Sequence, residues 1–154
     1  MTLARYNLAG QSSTVSGYTS GGTPPVTNTI DKFPFASDGN ATDVGDLTQT
    51  TSGSAGQSST VSGYTSGGYI PAIAVSNVID KFPFATNANA TDVGDLTVVR
   101  NSITGGQSST VSGYASGGNP TTNVIDKFPF ATNANATDVG DLTLARFSVA
   151  GQQD

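Results

Sequence analysis

The stretch GQSSTVSGY fills residues 10–18, returns unchanged at 56–64 and returns again at 106–114. The chain is therefore built from one repeated unit, and self-similarity at a period of this size is the signature of a repeat architecture. The starts lie 46 and 50 residues apart. Outward from each copy, IDKFPFA begins at Ile30, Ile79 and Ile125, and ATDVGDLT begins at Ala41, Ala90 and Ala136, always 11 residues further on. A truncated echo, AGQ, stands at residues 150–152.

Each unit reads as four short strands. The first is expected around LARYNLAG (3–10), matched by VVRNSITG (98–105) and LARFSVAG (144–151). The second is STVSGYTS, ended by a glycine pair at 21–22, 67–68 or 117–118, where a reversal needing positive φ meets no Cβ. The third is TIDKFPFA. Alternation along it puts Ile30, Lys32 and Pro34 on one side and Asp31, Phe33 and Phe35 on the other, and its proline belongs at an edge or a strand end. The fourth is TDVGDLT, reached through an Asn- and Ala-rich turn such as 87–89.

Composition agrees with an all-β chain. Among 154 residues only 35% are apolar, 19 are glycine and none is Glu, so no stretch combines a periodic apolar face with good helix formers. Eleven acidic against six basic residues give a net charge of −5 and no basic stripe for phosphates, which argues against a nucleic-acid partner. The absence of cysteine removes disulfides and thiolate chemistry. No run of about 18 apolar residues exists to span a membrane, and residues 1–5 pass straight into repeat sequence without a signal peptide, so a soluble chain complete from its first residues is expected.

Units of 45 to 50 residues with four strands fall in the range of propeller blades. The GY followed by GG, the arginine in the first-strand segment and the aromatic strand after a variable loop resemble Kelch-type β-propeller repeats. The blocks AGQSS, GYTSGG, IDKFPFA and ATDVGDLT are also similar to repeats in predicted structural proteins of marine bacteriophages, which implies a virion component. The likeness covers nearly the whole chain, but the tryptophan usual on a Kelch fourth strand is missing; Gly94 and Leu96 occupy that region of the second copy. A fibrous β-solenoid or trimeric fibre is the alternative fold, since Gly, Ser and Thr richness suits it too.

The expected fold is a single all-β repeat domain over 1–154: three four-stranded antiparallel propeller blades at about 3–48, 49–97 and 98–143, with an extra terminal strand at 144–152. Propellers close with about 4 to 8 blades, so three units imply assembly, and a homodimer making a six-bladed ring is the simplest closed form. First-strand sequence at both termini points to strand exchange between copies. The expected partner is thus a second copy of the chain.

Function candidates follow the variable parts. The inserts at 23–29, 69–78 and 119–124 differ while their flanks barely change, and the second offers Tyr69, Ile70, Ile73 and Val75 as a contact surface for a glycan or protein ligand. Packing on a neighbouring blade is the competing reading. Tyr18, Tyr64 and Tyr114 recur once per unit as candidate pocket residues. The pairs Asp43 and Asp46, Asp92 and Asp95, Asp138 and Asp141 have the oxygen chemistry of a hard-cation site, but their spacing is not that of a calcium loop, and turn aspartates ordinarily accept backbone N–H groups. No cofactor and no catalytic residue is expected. His and Cys are absent, and paired carboxylates in every repeat lack the asymmetry glycoside cleavage needs. Arg5, Arg100 and Arg146 recur at one position, with Thr51 at the matching place of the first-to-second junction, and read as structural ion-pair partners. The chain is expected to be a non-enzymatic structural or scaffold protein; a binding module and an engineered or excised propeller fragment are the other readings.

Overall fold

The computed structural model describes residues 3–103, 106–149 and 151. Each repeat folds into one four-stranded antiparallel sheet with the strands in chain order. The first sheet holds β1 (Ala9–Ser12), β2 (Ser16–Ser20), β3 (Thr27–Pro34) and β4 (Thr42–Thr51). The second holds β5 (Ala55–Ser58), β6 (Ser62–Gly68), β7 (Ser76–Pro83) and β8 (Thr91–Asp95). The third holds β9 (Gly106–Ser108), β10 (Ser112–Ser116), β11 (Thr122–Pro129) and β12 (Thr137–Arg146). The described residues contain no helix, and hence none long and apolar enough to cross a membrane.

Local chemistry sets these boundaries. Ser13 closes the β1–β2 hairpin: its hydroxyl accepts the N–H groups of Val15 and Ser16, which takes STV out of the second strand and into the turn. The glycine pair ends β2, with Gly21 at φ +66° and Gly22 at φ +104°. The prolines sit at the last position of β3, β7 and β11, where no further ladder donor is needed. The first strand begins later than its sequence suggests, at Ala9 instead of Leu3, because residues 3–8 make an isolated bridge, Tyr6 with Thr23, and join no ladder. In the same way Leu144, Ala145 and Arg146 are the end of β12; Ala150 and Gln152 of the echo, and residues 104–105 of the second-to-third linker, lie outside the described residues.

The alternation of IDKFPF holds. Tyr18 stands opposite Lys32 in the β2–β3 register, so both share a face with Ile30, while Gly17 stands opposite Phe33 on the other. A Cβ on Gly17 would lie 2.2 Å from the Phe33 ring, and Gly63 and Gly113 stand in the same relation to Phe82 and Phe128. The GY motif is thus a bed for the ring beside it, followed by an aromatic for the opposite face.

The inner strands line up through glycine. A Cβ on Gly56 would come within 2.1 Å of the Gly10 carbonyl oxygen, one on Gly106 within 2.0 Å of the Gly56 oxygen, and one on Gly151 within 2.1 Å of the Gly106 oxygen. Backbone therefore meets backbone from sheet to sheet, which only glycine permits. Gly56→Ala is expected to destabilise the chain by about 1–3 kcal/mol through forced separation of the first two sheets. In dilute single chains Gly10→Ala, whose Cβ meets nothing within 4 Å, should shift the urea midpoint far less.

Candidate functional site

The chain's chemistry is concentrated between its sheets. At the first junction Tyr18 packs on the second sheet's aromatic pair, its ring centroid 5.6 Å from Phe82 and 4.8 Å from Phe84. The second junction repeats this with Tyr64, at 5.5 Å from Phe128 and 4.8 Å from Phe130. Gln11 donates from Nε2 to the Tyr64 carbonyl at 2.9 Å, and Gln57 to the Tyr114 carbonyl at the same distance.

The outer strands are joined as regularly. The Asp46 N–H donates to Asn89 Oδ1 at 3.0 Å while the Asp46 carbonyl accepts the Ala90 N–H at 2.7 Å. Asp95 does the same with Asn135 and Ala136, at 3.1 and 2.8 Å. Thr48 donates both its N–H and its hydroxyl to the Asp80 carboxylate, and Thr97 both of its donors to Asp126. Each sheet thus has two unlike faces. One carries Tyr, Gln and Thr; the other carries the Phe pair and a buried Asp.

Arginine adds an ion pair where it is present. Arg100, fully buried, donates to Asp126 at 2.6 Å and to the Ala115 and Val124 carbonyls. Burial pulls its pKa below the usual arginine value, partly offset by Asp126 and Asp138. Arg5 pairs with Asp31 in the same way. Thr51 takes the arginine's place at the first-to-second junction, where Asp80 has only Thr48 as a described hydrogen-bond donor; burial raises the Asp80 pKa, and the Thr48 bonds act against it. Arg5 and Arg100 are thus ion-pair partners, whereas Arg146 is exposed and forms no ion pair among the described residues.

The predicted site residues are dispersed by this arrangement. Tyr18 and Tyr64 are buried under the next sheet's rings, and Tyr114 alone stays half-exposed. In the second insert Ile70 is buried and Val75 half-buried, while Tyr69 and Ile73 are exposed. Asp43, Asp92 and Asp138 each accept the N–H of a glycine two residues on, at 3.2, 3.1 and 3.0 Å, and Asp46, Asp95 and Asp141 follow within the same strands. Among the described residues no three His, Cys, Asp or Glu side chains gather closely enough to hold a metal ion. The three SST turns line a hydroxyl-rich cleft, in which the Ser12 N–H reaches Ser58 Oγ and the Ser58 N–H reaches Ser108 Oγ. Sequence reading missed Asn89 and Asn135 as junction acceptors; their constant place before ATDVGDLT is visible, but nothing local says that the partner is the preceding unit.

Both ends of the array are left half-made. On the first sheet Phe33 and Phe35 are 36% and 56% exposed, against 1% and 9% for Phe82 and Phe84. On the third, Val139 is 51% exposed against 9% for Val93, and Leu142 is half-exposed against 2% for Leu96. A Cβ on Gly45 or Gly94 would strike the next unit's Ala88 or Ala134 carbonyl at 2.5 Å, whereas one on Gly140 meets nothing within 4 Å. Compared with family models and with curated proteins the chain matches none.

Proposed function

We propose that the chain is a non-enzymatic structural scaffold that assembles head to tail with a second copy into a six-bladed β-propeller. The observation that carries this reading is the pair of open faces: the third sheet presents the Tyr114, Gln107, Asp141 and Thr143 half of a junction, and the first presents the Phe33, Phe35 and Asn40 half, with Asp31 buried behind it in its pair with Arg5. Both junctions inside the chain join these halves through the same glutamine-to-carbonyl, Asp–Asn, Thr–Asp and Tyr–Phe contacts, so a third sheet docked on a second copy's first sheet offers partners of the same kinds. Closure makes six blades from two chains, the one multiple of three within the usual range of about 4 to 8. A head-to-tail contact that closes gives a ring, and one that does not gives a filament.

Light scattering after size exclusion is expected to give about twice the 15.5 kDa of one chain. Phe35→Asp, at an exposed ring, should halve that mass without changing the circular dichroism spectrum. A wild-type mass of one chain, or a Phe35→Asp variant that still pairs, rules the ring out.

A further inference from the structure

Four segments of the chain share one backbone turn, three of them leading into a sheet and the fourth following the last one. Asn7, Gly53, Ser102 and Ser148 share positive φ, at 55°, 66°, 52° and 55°. The segments lie side by side: the Gly53 N–H donates to the Asn7 carbonyl at 2.9 Å, Ile103 to Gly53 at 3.1 Å, and Ser148 to Ser102 at 2.9 Å. The residue before each turn pairs across to its sheet, Tyr6 with Thr23, Ser52 with Tyr69 and Asn101 with Asn119, which leaves Phe147 as the fourth of the series. A six-bladed ring has six such seats, and two chains bring eight segments. At each junction between copies, LARYNLAG of one chain and LARFSVAG of the other claim the same seat.

We infer that on closure the C-terminal segment of each copy displaces the N-terminal segment of the other, so that residues 3–8 are a detachable cap on the first sheet. This rests on the ring proposed above. Arg146 is fixed in its own sheet: it stands opposite Thr122, and its carbonyl accepts the Gly118 N–H at 2.9 Å. Leu3, Ala4 and Arg5 belong to no strand. Arg100 leaves the second sheet and reaches Asp126, 26 residues ahead; Arg5 reaches Asp31 over the same 26 residues. A third sheet docked on a second copy therefore brings Arg146 to where Arg5 lies, with Phe147 replacing Tyr6 and Ser148 replacing Asn7. Every bond the cap loses is remade in kind. In the single chain Arg146 is exposed, its Nε donating to the nearby Leu144 carbonyl, while Arg100 is fully buried.

The chain has no cysteine, so engineered disulfides read the exchange directly. Tyr6 and Thr23 exchange two backbone hydrogen bonds, a pairing that holds Cα atoms about 5.5 Å apart and within disulfide reach. Oxidised Y6C/T23C fastens the cap and is expected to have the mass of one chain, with reduction restoring two. T23C/F147C is expected to give a covalent dimer on a non-reducing denaturing gel. R146A should weaken the dimer at least about tenfold, and R5A should not. An oxidised Y6C/T23C that still pairs, a two-chain T23C/F147C solution without covalent dimer, or an R5A effect larger than that of R146A overturns the exchange and leaves the ring standing. If reduced and unmodified chains alike have the mass of one chain, the ring itself falls and the exchange falls with it.

Discussion

Phe82→Ala is expected to destabilise the chain by about 3–5 kcal/mol, the range for removing a buried phenylalanine. At this chain length that corresponds to a melting temperature lower by roughly 6–20 °C. The ring is 1% exposed, lies over Gly63 and packs against both Tyr18 and Phe84, so its loss opens a void in the centre of the first junction. Phe33 occupies the identical place on the first sheet, over Gly17 and against Phe35, but no tyrosine of another sheet packs on it among the described residues. Phe33→Ala should therefore cost only about 1 kcal/mol in dilute single chains, the centre of the range for ordinary substitutions. The same variant should abolish pairing between copies at higher concentration. Calorimetry across a concentration series separates the two effects, and equal losses for both variants would contradict the unequal faces.

Asp126→Asn is expected to be comparably severe, at about 3–5 kcal/mol, because it leaves the buried guanidinium of Arg100 without a countercharge. Asp80→Asn occupies the matching site without an arginine and should change stability near neutral pH by less than about 1 kcal/mol, since Thr48 can still hydrogen-bond the amide. The pH dependence gives a second readout. A carboxyl whose folded-state pKa lies above its unfolded value binds its proton more tightly when folded, so Asp80 adds stability as pH falls through the folded value and takes it away as pH rises. Urea midpoints of Asp80→Asn and of the parent should diverge as pH rises through that value, the parent losing stability. Parallel curves would show that Asp80 is ionised at no cost.

Much of this architecture can be read from the residues. The three exact copies announce three equivalent sheets, and the i, i+2 alternation of Asp31, Phe33 and Phe35 against Ile30, Lys32 and Pro34 assigns the two faces correctly, because a strand's side chains alternate whatever lies around it. The linkers were harder. Residues 3–8 have the composition of a strand but no ladder partner, and pairing is a property of the neighbour, not of the segment. The binding role considered for Tyr18 and Tyr64 had the same difficulty: an aromatic repeated once per unit looks like a row of equivalent pockets until the next unit's phenylalanines are seen to cover it. Asn89 and Asn135 read as turn residues, which they are, and their second task depends on a strand about 40 residues away in sequence.

The column of glycines along the inner strands has a genetic consequence. Contacts made of backbone alone carry no record of which unit stands beside which. An unequal crossover between two copies of the coding repeat removes or adds a whole unit in one event, and the new neighbours meet the same glycine surface that the old ones met. The inner-strand contact is thus of one kind throughout, while the inserts at 23–29, 69–78 and 119–124 differ in both length and sequence.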